Sequence, residues 1–305
     1  MNYTLHQLKV FLKVSESQSI TKTSEELHLS QPAVSIQLKN FQDQFSIPLT
    51  EKIGRRIYIT DFGREIAQTA EKILNEVEAI NYKTNAYQGI MTGRLKFSIA
   101  STGKYVMPYF LSKFMQIYKA VDLVIDVTNK SKVIRSLEDN EIDIALVSVL
   151  PEKLKINSLN ILPNQLYLIG SKNAGIDFSS AKKLNTLPLI YREPGSATRK
   201  AMEDFIASKN ISNYKKIELT SNEAVKQAVV SGLGFSVMPL IGIKNELKNK
   251  DVEIIPVKGL PITTNWQLVW LKDKQLSPVA KAFLKFIEEH KSEIRNTHFE
   301  WINNY

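Results

Sequence analysis

The apolar positions of the first forty-odd residues recur at helical spacing in three short blocks. Leu5, Leu8, Phe11 and Leu12 form one, Ile20 and Leu27 a second, and Val34, Leu38 and Phe41 a third. Each block makes a single apolar stripe with steps of three and four residues. No block is long enough to bury its stripe alone, so the pattern predicts three helices around a shared core. Ser30 stands where an N-cap belongs. Pro32 follows at an early helical position, where a missing N–H costs nothing, and the two set the start of the third helix. Ser19 to Ser35 therefore reads as helix, three-residue turn, helix. The third helix turns Gln31, Pro32, Ser35, Gln37 and Lys39 outward. Gln and Ser can bond base edges or phosphates, and a lysine can pair with a phosphate. A helix held proud of a three-helix core fits the DNA major groove, although a plain bundle with a polar outer face shows the same pattern.

The period then falls to two. Glu51 to Thr60 contains two short β-prone runs around Gly54-Arg55-Arg56, a hairpin signal. A basic hairpin tip beside such a helix is a wing, from which Arg55 and Arg56 reach phosphates or the minor groove; a solvated turn is the alternative. From Asp61 the spacing is helical again. Ile66, Ala70, Ile73, Val77, Ile80, Thr84 and Tyr87 alternate steps of four and three, a heptad seam. It either lies on its own winged domain or pairs with a second copy, and the polar stretches around it favour pairing of residues 61–90 as a dimerisation helix. Thr60 as N-cap and Asp61 in the first turn suit its start, and Gly89 and Gly93 suit its end. A dimer would place two reading helices about one DNA turn apart.

Beyond residue 94 strands and helices alternate. Strands are expected at 95–100, 123–127, 142–149, 166–169, 187–191, 216–219, 234–238, 252–257 and 266–271, with helices near 104–118, 131–140, 196–208, 222–231 and 277–290. Repeated β-α-β with apolar strands implies parallel-type sheets covered on both faces. Ser101-Thr102, Ser131, Gly195-Ser196-Ala197-Thr198 and Ser221-Asn222 stand where strands give way to helices. Open sheets bind ligands at such carboxyl ends, and helix N-termini attract anions. A cleft there would hold a small anionic molecule, oriented by hydroxyls of Ser101, Thr102, Ser196 and Thr198 and balanced by Lys104 or Arg199. The same residues are also the commonest helix caps. For Arg199 and Glu193 a mutual or interlobe salt bridge competes with ligand contact.

Composition refines this picture without deciding it. The chain of 305 residues carries 40 Lys and Arg against 31 Asp and Glu, a net charge of +9. Residues 1–90 hold ten of each sign, so the excess lies beyond them and basicity is not the evidence for nucleic-acid binding. There is no cysteine, hence no disulfide or thiolate metal site. The four histidines, His6, His28, His290 and His298, lack metal-ligand spacing, and Gly232-Leu233-Gly234 suits a turn more than a dinucleotide loop. An enzyme, a cofactor and a metal are not expected. No export signal or long apolar run appears, which predicts a cytoplasmic protein without membrane contact.

Ser30-Gln31-Pro32-Ala33-Val34-Ser35, Gly54-Arg55-Arg56 and Thr60-Asp61-Phe62-Gly63 resemble the winged helix-turn-helix of LysR-type transcriptional regulators. Ser101 to Tyr105, Glu141 to Leu146, Arg192 to Arg199 and Ser221 to Val229 are similar to the effector domain of that family, in the branch regulating Calvin-cycle and sulfur-assimilation genes. Ile36 and Asn40 depart from positions often basic in the family, Thr23-Ser24 from its small pair, and Thr50 from a common aromatic. The resemblance implies an α+β multidomain chain: a winged helix-turn-helix at 1–60, the linker helix, and a two-lobed α/β effector domain of periplasmic-binding-protein type at 91–305. Lobe one would span about 94–162 plus 266–290 and lobe two about 164–260, with crossings near Pro163-Asn164 and Gly259-Leu260-Pro261. It further implies double-stranded DNA as partner, a small-molecule effector touching Ser101, Thr102, Ser131 and Gly195 to Thr198, a homodimer assembling into a homotetramer, and contact with RNA polymerase. The tail from Lys291 to Tyr305 exceeds the family pattern and is expected to pack on the last lobe or another subunit. A solute-binding protein whose N-terminal helices serve only dimerisation is the alternative reading.

Overall fold

The computed structural model describes residues 2–54, 56–87, 91–172, 181–212 and 214–305; of residues 79, 81–87 and 181–183 it describes the backbone alone. The chain divides into two units, Met1–Ile90 and Met91–Tyr305.

The first unit opens with α1 (Leu5–Ser17), α2 (Ile20–Glu26) and α3 (Gln31–Gln42). Each has the cap its sequence offers. Thr4 and Gln7 form a reciprocal capping box, Ser19 caps α2, and Ser30 accepts from the Ala33 N–H at 3.3 Å. Leu8, Phe11, Val34, Leu38 and Phe41 are buried together as expected, with the Phe11 and Phe41 rings 5.1 Å apart. Leu5, at the first position of α1, is exposed, and Val10 and Val14 fill the core in its place. Thr23 and Ser24 are buried in α2 with their hydroxyls bonded, Thr23 to Ser17 Oγ at 2.8 Å and Ser24 to the Thr21 carbonyl at 2.7 Å. That pairing removes the cost of burying polar groups where α2 meets α1.

The wing is an antiparallel pair of β1 (Thr50–Ile53) and β2 (Arg56–Ile59), with Ile53 opposite Arg56. Arg56 is thus the first residue of a strand, exposed beside the turn rather than within it; Arg55 lies outside the described residues. The Thr50 N–H and hydroxyl both donate to Gln42 Oε1, at 3.2 and 2.6 Å, fastening the wing to the end of α3. The long helix α4 (Asp61–Tyr87) starts under Thr60, whose Oγ1 accepts from the Gly63 N–H at 2.9 Å. Its seam does not act as one face. Ala67 and Ala70 are buried against the three-helix core, and Ile66 packs on it, whereas Ile73 is 37% and Ile80 61% exposed and Val77 is half-buried. The reason is length and pitch: α1 has only 13 residues to cover a 27-residue helix, and a 3.6-residue turn drifts about 20° per heptad from the seam. The side chains of Thr84 and Tyr87, and all of Gly89, lie outside the described residues.

The second unit contains β3 (Gly93–Ala100), a 3₁₀ turn at Ser101–Tyr105, α5 (Met107–Ile117), β4 (Val121–Thr128), α6 (Lys130–Glu138), β5 (Ile144–Val147) and β6 (Ile156–Ser171). After a 3₁₀ turn at Ala181–Thr186 come β7 (Pro188–Arg192), α7 (Ala197–Ser208), β8 (Lys215–Leu219), α8 (Asn222–Val230), β9 (Ser236–Pro239), α9 (Lys244–Asn249), β10 (Val252–Ile254), β11 (Ile262–Leu271) and α10 (Pro278–Phe299). Seven strands form a sheet in the order β10-β6-β11-β5-β3-β4 with β9 also on β6, and β7 and β8 pair separately. We call β3 to β5 with α5, α6 and α10 lobe one, and β7 to β10 with α7 to α9 lobe two.

The sheet is mixed, not parallel throughout. Strand β6 is 16 residues long and runs antiparallel to β11 from Leu166 opposite Ile262 to Ile156 opposite Leu271. Only its apolar end, Leu166 to Ile169, reads as a strand in the sequence. Asn157, Ser158 and Asn160 blur the first half, and Pro163, which cannot donate to a ladder, argues against continuity. These two strands carry the chain between lobes, with Asn164 opposite Thr264 and its Nδ2 donating to Thr264 Oγ1 at 2.9 Å. The helix expected at 104–118 begins later, at Met107, because Pro108 starts a fresh helix after the 3₁₀ turn.

Helix α10 continues past 290 into the tail. Phe299 is buried and stacks on Phe110 of lobe one at 5.9 Å; Lys244 of lobe two lies over the Trp301 ring at 4.9 Å, and Tyr167 Oη donates to the Tyr305 backbone oxygen at 2.9 Å. The tail therefore packs on both lobes of its own chain. Among the described residues no helix is long and apolar enough to cross a membrane.

Candidate functional site

In the first unit the outward face of α3 is what the sequence predicts. Gln31, Pro32, Ser35 and Lys39 are exposed and Gln37 is half-buried, while Val34, Leu38 and Phe41 anchor the opposite side. Ile36 and Asn40 share the exposed face. Caps at its start and the Gln42–Thr50 bonds at its end hold the helix at both ends, so a rigid row of side chains is offered to a groove.

In the second unit the chemistry lies where the lobes meet. Ser101, at the end of β3, receives two donors from lobe two: Arg192 Nη1 at 3.1 Å and Asn222 Nδ2 at 2.6 Å. Arg192 is 4% exposed and forked onto Glu193 through two bonds of 2.8 Å. Such a buried, charge-neutralised pair needs its geometry kept intact. Asn222 Oδ1 is buried without a partner among the described residues, a cost that separation of the lobes would relieve. Two more contacts span the junction. Tyr105 Oη donates to Glu223 at 3.2 Å beside Lys226, whose ammonium sits 2.8 Å from Glu246 and 3.1 Å from Glu223. Burial pushes the Lys226 pKa down, but its bonds to Glu246 and Glu223 outweigh that and raise it, so the Lys226 ammonium stays charged at neutral pH. The Ser131 N–H and hydroxyl face the Gly195 carbonyl at 3.2 and 3.4 Å.

Beside the Ser131–Gly195 contact lies a cavity of about 870 Å³. Lys130, Ser131, Ile134 and Val149 line it from lobe one, Gly195, Ser196, Lys200 and Phe205 from lobe two, and Ile262 and Thr264 from the crossing strand. Burial lowers the Lys130 pKa, partly offset by Glu152, and its ammonium makes no ion pair with a described residue. Asp204 engages Lys200 at 2.6 Å. Lys130 is thus the cation best placed to take an anion in this cavity.

The expected effector residues separate into groups. Ser131, Gly195, Ser196 and Arg199 line the cavity; Ser101, Thr102, Lys104 and Thr198 do not. Ser101 joins the lobes instead, and Thr102 is buried in its 3₁₀ turn. Lys104 is exposed, its ammonium 5.0 Å over the neighbouring Tyr105 ring, and it is not among the residues that line the cavity. Arg199 is not a free counter-charge: Glu203 at 2.8 Å, Glu218 at 2.6 Å and the Arg192 carbonyl at 2.9 Å satisfy it. Glu193 pairs with Arg192, not with Arg199. Ser131 is not a cap, since Asn129 accepts from the Lys132 N–H at 3.1 Å. Ser196 and Ser221 do cap α7 and α8. Asn222 stands at one of the strand-to-helix positions that the sequence marks for the cleft, whereas Arg192 and Lys130 carry no such mark; a charged residue ending an apolar strand, as Arg192 does, is the signal the sequence offers.

A winged helix-turn-helix followed by a two-lobed α/β unit with a cavity of mixed polarity between its lobes defines the class of ligand-responsive DNA-binding regulators. Residues 5–64 match the bacterial regulatory helix-turn-helix protein family, lysR type, and residues 88–292 match the LysR substrate binding domain. The HTH-type transcriptional activator CmpR of Synechocystis is 34% identical over 296 residues, covering 96% of this chain and 97% of that protein. The RuBisCO operon transcriptional regulator of Allochromatium vinosum is 35% identical over 290 residues, covering 94% and 96%. Among solved structures, the Synechocystis CcmR regulatory domain in complex with 2-PG aligns with a TM-score of 0.61 at 29% identity, covering 68% of this chain and 99% of that one. Full-length CbnR complexed with its target DNA aligns at 0.69 and 18% identity, covering 94% and 99%, a likeness of fold. The chain belongs to the LysR family and is a DNA-binding transcriptional regulator with an effector-binding domain.

Proposed function

We propose that the protein holds double-stranded DNA through paired winged helices of a homo-oligomer and that a small anionic metabolite in the interlobe cavity changes how it does so. The observation that carries this reading is that the cavity is walled by both lobes and by the strand that crosses between them, so a bound molecule makes different contacts in each lobe arrangement. Only such differential contact can shift a conformational equilibrium. Lys130 supplies charge, Ser131 and Ser196 supply hydroxyls, and Ile134, Val149, Phe205 and Ile262 supply an apolar wall. CcmR, whose regulatory domain was solved in complex with 2-PG, supports a phosphorylated carboxylate as the chemical class. On the DNA side the reading assigns Gln31, Pro32, Ser35, Gln37 and Lys39 to groove and backbone contact and Arg55 and Arg56 to the wing. It gives the chain no catalytic step, in keeping with relatives that are regulators.

Thermal unfolding of the full chain against 2-phosphoglycolate and related phosphorylated and carboxylated metabolites tests it. A ligand bound only by the folded state at a hundred times its Kd stabilises by about 2.7 kcal/mol. The expected result is a saturable rise in Tm with at least one anion, largely lost in Lys130→Ala while the unliganded Tm holds. An unchanged response in that variant, or no response to any anion, overturns the assignment.

A further inference from the structure

Ile36 stands in the middle of the face of α3 that the proposed function gives to DNA, and it is 57% exposed. Its neighbours on that face are exposed too: Pro32 one turn before it, Ser35 beside it, Lys39 and Asn40 one turn after. The polar members can bond bases or phosphates. Ile36 can neither donate nor accept. The helix cannot rotate to hide it, because Val34, Leu38 and Phe41 are fixed in the core and both ends of α3 are tied.

In the major groove the base edges present donors and acceptors, with one apolar group among them, the C5-methyl of thymine. An isoleucine set against guanine, cytosine or adenine would strip water from a polar edge and return no bond, an unfavourable exchange. Set against thymine it covers a methyl group. Pro32, four residues earlier, extends the same apolar strip along the helix. We propose that Ile36 reads a thymine methyl at one position in each half of the DNA site. The inference rests on α3 being the reading helix, and it adds one specificity-determining residue to it.

The probe is a duplex selected from random sequence by the full-length protein, with each thymine in turn replaced by deoxyuridine, which differs only in lacking that methyl. Burying a methyl-sized group contributes about 0.8 kcal/mol, or about a fourfold change in Kd. The expected pattern is a loss of that size at one thymine per half-site, absent in Ile36→Ala and partly retained in Ile36→Val. Because Ile36 is exposed, neither change removes core packing, and circular dichroism checks the fold. Tolerance of deoxyuridine everywhere, or an undiminished methyl effect in Ile36→Ala, overturns the proposal. Gln31→Ala in parallel separates two failures. Weakened binding with no methyl effect leaves α3 as the reading helix and removes only Ile36's role; unchanged affinity and unchanged selected sequence remove both.

Discussion

At the scale of single residues, the lobe junction turns on positions whose neighbours come from far along the chain. Gly195 adopts φ +85°, and a Cβ there would lie 2.7 Å from Ser131 Oγ across the junction. Gly232 has a similar φ of +80° with nothing within 4 Å. The two separate backbone strain from lobe contact. Gly232→Ala is expected to cost about 1 kcal/mol, the lower end for a non-glycine residue in the left-handed region. Gly195→Ala is expected to cost at least about 2 kcal/mol more through the clash, or to push the lobes apart, seen as a larger fall in Tm and weaker response to anions. Equal shifts for the two variants would show that the Ser131–Gly195 contact adds nothing. The sequence marks Gly195 as part of a loop before a helix, but the oxygen that forbids its side chain belongs to another lobe.

At the scale of elements, helix α4 shows how one periodic pattern divides between two partners. Its seam was legible residue by residue, yet Ala70 is 1% exposed against its own core while Ile73, one turn on, is 37% exposed. Ala70→Glu should bury a charge without a partner and destabilise the first unit by at least about 3 kcal/mol. Ile73→Glu should leave that unit's unfolding nearly unchanged and lower the mass in sedimentation equilibrium toward the monomer, if the outward half of the seam joins two copies. A full-size oligomer in Ile73→Glu would place dimerisation elsewhere. Helix caps were the most reliable local signal, because Ser30, Thr60, Ser196 and Ser221 act on backbone groups three residues away. Ser131 is not a cap, because Asn129, two residues upstream, accepts from the Lys132 N–H instead.

At the scale of the whole molecule, the C-terminal segment links the two lobes of its unit. Phe299, the last residue of α10, is 3% exposed against Tyr109 and Phe110 of α5, and the chain then continues to Lys244 on lobe two and Tyr167 on the crossing strand β6. Phe299→Ala should lower unfolding free energy by about 3–5 kcal/mol, as removal of a buried aromatic does. Trp301→Ala, which loses a partly exposed cation–π contact, should cost about 1 kcal/mol. Urea unfolding of the full chain distinguishes them, and a Phe299→Ala midpoint equal to that of the unaltered protein would mean the tail is not part of the cooperative unit.

The sequence by itself determined the three capped helices, the wing, the long helix and the alternation that makes the second unit α/β, together with the residues that form the outward face of α3. These follow from spacing, capping and turn chemistry, which act within a few residues. Tertiary structure alone decided that Arg192 and Asn222 meet on Ser101, across 91 and 121 residues of chain, that Glu203 and Glu218 occupy Arg199, and that Lys130 rather than Lys104 faces a cavity. Such contacts depend on how β6 and β11 cross between the lobes. The half of β6 that makes the crossing holds Pro163 and several polar residues, so its local pattern did not announce a strand.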